Sequence, residues 1–320
     1  MENTRNHWAF HDAAHRRLRV LLLTSDDPQH AYVRRLLAAR LDLVGTVVEP
    51  GAAQKRRLWT RRRYYDLAFR VYQGRRQRIT GRARWRSAYF ARLSAELPRS
   101  TSVIHRVDSV NSAAARELVT TLAPDLTVVC GTGVLGRRII EQNPGLMVNI
   151  HGGWLPEYKG NHGVYFAYLN RDWSRIGATV HMVSPTLDAG PVFAQVAPEL
   201  QPGDDDEKLY SRSVHQAALL LTELALDLEE GAVLTAAAQP DRGTTYRHRD
   251  RTPVAEFRLW LRRLRRQHLV PPRAGRTITF SPEGTAGPRS RQRPRAVGLG
   301  TEGPQQPTAG VRGHPDAAGS

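Results

Sequence analysis

Three polar side chains near the middle of the chain have the types and the spacing for acyl-transfer chemistry. Asn149 and His151 stand two apart at the end of an apolar run, 147–150, and Asp188 follows a second apolar run, 178–183, in a Leu187-Asp188-Ala189-Gly190 loop. Residues two apart on a strand point to the same face. An amide donor beside an imidazole suits an oxygen on which negative charge develops. A nearby carboxylate either keeps that imidazole protonated or accepts the proton a nucleophile sheds. The sequence holds no Gly-x-Ser-x-Gly elbow, so the nucleophile has to arrive with the substrate, as an amine for example. Taken singly, each residue has a plainer reading. A strand-end His is more often a hydrogen-bonded structural residue, and an Asp in such a loop a turn former.

These residues need strand ends to hold them. The run 18–24 is nearly continuous in apolar residues, as a strand buried on both faces should be. Val33, Leu36 and Leu37 keep helical spacing over 31–40, and 43–48 reads as the next strand. Further strands are expected at 102–106, 125–130 and 192–196, the last closing the sheet. Helices are expected at 111–122 with Asn111 as its cap, at 137–142, at 207–229 and at 255–268. Strand ends followed by Gly- and Pro-rich loops are where a parallel α/β sheet puts its chemistry. Gly131-Thr132-Gly133-Val134-Leu135 is such a loop, with glycines that permit close backbone approach to a flat ligand; a bare Gly-x-Gly is weak evidence for a dinucleotide. The turn Ser25-Asp26-Asp27-Pro28 has no glycine with which to cradle a phosphate. The Leu155-Pro156 bond is a candidate cis peptide.

Charge is unevenly placed. The net +17 divides into +13 over 53–100, +10 over 257–296 and −6 over the rest, so the chain's basicity says nothing about the core. The stretch 53–100 mixes arginines with Trp59, Tyr64, Tyr65, Phe69, Tyr72, Trp85, Tyr89 and Phe90, and reads as two basic amphipathic helices joined around 74–81. The preferred reading is a helical insertion whose aromatics pack on the domain; contact with nucleic acid or with an anionic membrane is the less favoured alternative. The single Cys130 ends an apolar run and fits a buried thiol in a reducing, cytoplasmic setting. No apolar run reaches membrane-spanning length and no secretory h-region is visible. After Pro271 the composition turns to Pro, Gly, Arg and Ser without periodicity. The expected organisation is an N-terminal extension (1–17), a catalytic domain (18–238) interrupted by the basic insertion, an appendage with a basic helix (239–271) and a disordered tail (272–320). Oligomeric state is not legible.

Taken in order, Asn149-x-His151, Leu155-Pro156-x-Tyr158-x-Gly160, Gly177-x-Thr179-x-His181 and Leu187-Asp188-x-Gly190 closely resemble the catalytic core of the formyltransferases that use 10-formyltetrahydrofolate. That family includes glycinamide ribonucleotide transformylase, methionyl-tRNA formyltransferase and sugar N-formyltransferases. The likeness extends more weakly over 18–237. It implies a Rossmann-like, doubly wound, mostly parallel sheet. It implies that Asn149, His151 and Asp188 match the family's catalytic Asn, His and Asp, with the formyl carbon between them. It implies that Gly131, Gly133, Val134 and Leu135, with Ser184 and Leu187, grip the pterin of the cosubstrate 10-formyltetrahydrofolate, and that Lys159, His162 and Tyr165 line the acceptor side. No metal is called for. The implied reaction is formyl transfer to a small-molecule amine, first a nucleotide-linked amino sugar or similar metabolite. Glycinamide ribonucleotide, methionyl-tRNA and water (formyltetrahydrofolate hydrolysis) are the alternatives. The Gly-free first turn weighs against glycinamide ribonucleotide, and the expected lack of a folded domain after 271 weighs against tRNA. A basic binding scaffold on a degenerate core is the non-enzyme alternative.

Overall fold

The computed structural model describes residues 2–4, 7–10, 16–264 and 270–280. Two short strands, β1 (Glu2–Thr4) and β2 (His7–Phe10), precede the first expected one, β3 (Arg19–Thr24). Helix α1 (Pro28–Arg40) leads to β4 (Asp42–Val48). Helices α2 (Gly51–Thr60), α3 (Tyr64–Ile79) and α4 (Arg82–Ala95) come before β5 (Ile104–Arg106). Then α5 (Ala113–Leu122), β6 (Leu126–Cys130), α6 (Arg137–Gln142) and β7 (Leu146–His151) follow in alternation. Next come β8 (Tyr158–Gly160), α7 (Gly163–Leu169), β9 (Ala178–Met182), β10 (Val192–Ala197) and α8 (Asp206–Glu229). The remaining elements are β11 (Leu234–Ala237), β12 (Thr244–Tyr246), α9 (Pro253–Leu264) and β13 (Arg276–Thr279).

The strands β7-β6-β3-β4-β5 form a parallel block, and helices cover both its faces. The period of two sorts the side chains. Val20 and Leu22 of β3 join one core with Tyr32, Leu36, Phe90 and Leu221, under α1, α4 and α8. Leu21 and Leu23 join the other with Val119 and Ile139, under α5 and α6. A strand buried on both sides has to be apolar throughout, which is why these read as unbroken runs. On β7, Val148 and Ile150 face the first core and Met147 the second. Alternation therefore puts Asn149 and His151 on the side of Met147. Beyond β7 the sheet turns antiparallel through β9, β10, β11, β2 and β1.

Four expectations change. The strand expected at 192–196 does not close the sheet: β10 pairs β9, β11 and β13, and all six of its residues are buried, as an interior strand requires. The insertion has three helices. Helix α3 runs through Gly74, and the chain breaks instead at Gly81, whose φ is +72°. Ser112, not Asn111, caps α5 by accepting from Ala115 N at 3.1 Å. Part of the stretch expected to be a disordered tail, 276–279, is β13: Thr277-Ile278-Thr279 pairs with β10 because β-branched residues suit a strand, a signal too short to stand out among Arg, Pro and Gly. Arg273 and Phe280 of the same stretch bridge to Leu200 and Thr235, and 281–320 lies outside the described residues.

Candidate functional site

At the carboxyl edge of the parallel block, β7 carries Asn149 and His151, and β9 lies antiparallel beside it with Asn149 opposite His181 and His151 opposite Thr179. Directly opposed residues on one face are near neighbours. The His181 ring has two partners. Its Nδ1–H donates to the Met182 carbonyl at 2.9 Å, which leaves Nε2 to accept from the Asn149 amide at 3.0 Å. The carbonyl can only accept, so the tautomer follows from the network. Burial pulls the His181 pKa down to about 4, with the Asp188 carboxylate opposing and His151 reinforcing. A neutral ring is what the Asn149 contact needs. One Asn149 N–H is thereby fixed, and the second is free to meet an incoming oxygen.

His151 is similarly constrained. Its Nε2–H donates to the Tyr158 carbonyl at 2.8 Å, so Nδ1 is the nitrogen that faces the site. Asp188 Oδ2 stands 3.5 Å from that Nδ1, and its Oδ1 is 3.7 Å from His181 Nε2. Both the His151 and the Asp188 side chains are buried. Asp188 sits in the left-handed region, at φ +50°, which Asp tolerates better than most residues. Its Oδ2 accepts from Gly160 N at 2.7 Å, and its carbonyl accepts from Gln239 Nε2 at 2.9 Å. Gly160 has to be glycine. Its φ is +81°, and a Cβ there would lie 2.2 Å from the Tyr246 carbonyl. The Leu155-Pro156 peptide is cis. Thr179 Oγ1 donates to the Gly153 carbonyl and accepts from Leu155 N, so β9 also fastens the loop after His151.

A buried carboxylate, an imidazole nitrogen and an amide N–H thus converge at one sheet edge. Residues 71–224, which contain all of them, match the model of the formyl transferase family. Over that segment the chain is similar to the formyl transferase family. A methionyl-tRNA formyltransferase from Mycobacterium ulcerans is 34% identical over 152 residues, 47% of this chain and 48% of that protein. A phosphoribosylglycinamide formyltransferase from Mycobacterium tuberculosis is 38% identical over 104 residues, 32% of this chain and 48% of that protein. The chain spans about half the length of the curated relatives it matches. Among solved structures, a 4-N formyltransferase from Francisella tularensis aligns over 72% of this chain and 76% of that one, at 15% identity and a TM-score of 0.46.

The other expected residues divide. Gly131, Gly133, Val134 and Leu135 leave β6 beside β7, next to the converging side chains. Asn111 holds this loop, accepting from Gly136 N at 2.6 Å and donating to the Val134 carbonyl at 2.9 Å. Leu135 packs on the α5–α6 core, whereas Val134 is 65% exposed. Leu187 is 38% exposed, and Ser184 is half-buried and donates to the Thr186 carbonyl. Val134 and Leu187 are thus the exposed apolar side chains of these two segments. Lys159 lies half-buried on β8, which pairs with β12. His162 starts α7 and meets His248 ring to ring, Nε2 to Nδ1, at 3.1 Å. Tyr165 is buried, with Arg251 over its ring at 3.8 Å.

His181 is not among the expected site residues, although it ends the Gly177-x-Thr179-x-His181 pattern. The signal was its period-two spacing from Thr179, which means something only once β9 is known to lie against β7. Gln239 follows β11 with no local pattern to mark it.

Proposed function

We propose that this protein transfers a formyl group from 10-formyltetrahydrofolate to the amine of a small acceptor, first a nucleotide-linked amino sugar or similar metabolite. The observation that carries the reading is the approach of Asp188 Oδ2 to the one His151 nitrogen that is not already bonded, beside an Asn149 amide held from the neighbouring strand. The folate, when bound, supplies an activated formyl group. The backbone of 131–135 and the exposed faces of Val134 and Leu187 are placed to hold its ring. Asn149 offers an N–H to the oxygen on which charge grows as an amine attacks. Protonated at Nδ1, His151 offers a second donor, and the Asp188 carboxylate stabilises that cation. Asp188 also accepts the amine proton, directly or through water; when the tetrahedral adduct collapses, the bond from the formyl carbon to the folate N10 breaks, that nitrogen takes up a proton, and tetrahydrofolate leaves as the formamide forms. The buried setting strengthens each of these interactions.

The acceptor reading rests on the first turn. Asp26 Oδ1 accepts from Gly51 N at 2.8 Å and Asp27 is exposed, so carboxylates stand where a phosphate cradle would need open amides. That favours an acceptor with no phosphate at this place. Removing one oxyanion donor costs about 10²–10³ in rate. Asn149→Ala, His151→Ala and Asp188→Asn are each expected to lose about that factor in formyl transfer, with unchanged circular dichroism. Near-normal activity in all three would refute the assignment. Formate release without an acceptor would make water the nucleophile.

A further inference from the structure

The insertion's arginines fall into two groups. Arg82 pairs with Asp206 at 2.8 Å, Arg86 grips Glu207 through both oxygens, and Arg76 holds Glu256, so the inner face of α3 and α4 is locked to α8 and α9. The outer face is different. Helices α2 and α3 frame a groove of about 750 Å³ lined by Trp59, Tyr64, Leu67, Val71, Arg75 and Ile79. Ile79 is 86% exposed and Trp59 62%. Arg61, Arg62, Arg75 and Arg78 are exposed around it, and the one acidic residue of α2 and α3, Asp66, is paired with Arg63.

Helix α9 is joined to α3 by the Arg76–Glu256 pair and bears an exposed apolar stripe of its own. Its Leu259 and Glu256 point inward, Glu256 towards Arg76, while Arg262 on the opposite flank reaches the Leu169 carbonyl of α7. Val254, Phe257, Trp260 and Leu264 recur at helical spacing and are all exposed. That spacing puts them on the flank of α9 nearer α3. Large apolar side chains left in water in such clusters mark a contact surface.

We propose that this face docks on an anionic lipid bilayer, with the apolar stripe in the headgroup–acyl boundary and the arginines on lipid phosphates. Charge chooses among occupants. A second copy would bring one arginine rim against another. A nucleic acid would satisfy the arginines and stack on Trp59 and Tyr64, but it gives nothing to Val71, Ile79, Val254 and Leu264, for which hydrocarbon is the natural solvent. Aromatic rings and arginines interleaved on amphipathic helices are what interfacial binding uses.

The test is sedimentation of the full chain with phosphatidylcholine vesicles, with and without phosphatidylglycerol, at low and high salt. Pelleting is expected only with phosphatidylglycerol, weakening as salt rises. Arg75→Gln and Arg78→Gln should each reduce the partition coefficient about fivefold, the loss of one surface charge. Val71→Ser with Ile79→Ser should reduce it by roughly tenfold, and Phe257→Ser on α9 offers an independent check should that pair disturb α3. Circular dichroism and formyl transfer to a soluble acceptor should not change. Equal behaviour on both vesicle types, tRNA capture without pelleting, or a dimer that buries Trp260 would each overturn the proposal, as would full pelleting of both the Val71/Ile79 and Phe257 variants.

Discussion

His181 shows how much of this site depends on a residue that touches no reacting atom. It accepts from Asn149 and donates to the Met182 carbonyl, so under the proposed reaction it positions the amide. His181→Ala removes the acceptor and frees Asn149 to rotate. The expected loss is about 10–100-fold in kcat with little change in KM, since misplacement of a donor by about 1 Å costs on that order. The decisive comparison is the double variant. If His181 works through Asn149, His181→Ala added to Asn149→Ala should cost almost nothing more; two losses that multiply would show that His181 has a separate role.

Among the elements, α3 and the turn before α4 give a matched pair of substitutions. Gly74 lies exposed within α3, and an added Cβ would meet no atom within 4 Å. Gly74→Ala is expected to stabilise the protein by about 0.5–1 kcal/mol. Gly81→Ala should destabilise it by about 1–2 kcal/mol, because φ is +72° there and an L side chain clashes with its own backbone. Urea midpoints measure both, and like signs at the two sites would contradict the assigned break. The same pair explains what was readable beforehand. The strands β3, β6 and β7 announce themselves as unbroken apolar runs because helices cover both faces. Asn149, His151 and Asp188 stand out by type, at strand ends. Gly74 and Gly81 look alike in sequence, and only the surrounding turns of helix decide which one breaks it. The clamp from Asn111 and the Gln239 contact with Asp188 join residues distant in the chain, so no local pattern could announce them.

Over the whole molecule, His30 and His181 are buried and His215 and His248 half-buried, and each of the four is pulled down to about 4, first of all by desolvation. An unfolded chain binds those protons near the ordinary value of about 6.5. Above that pH both states are neutral and the difference vanishes. Between about 6.5 and about 4 the unfolded chain takes up protons that the folded one cannot, so stability falls as pH falls through that window. Each such group steepens the fall by about 1.4 kcal/mol per pH unit. Several together should make the protein markedly acid-labile well before its carboxylates protonate. His215 isolates one contribution, since burial is the only cause of its shift and its ring packs edge-on against Tyr32, 5.3 Å between centroids. His215→Phe keeps that packing and removes one titrating group, so the slope of unfolding free energy between about pH 6 and about pH 5 should drop by about one proton. A wild-type slope already below one proton would mean that water reaches these rings in the folded protein, and the closed packing around α1, α4 and α8 would then be wrong.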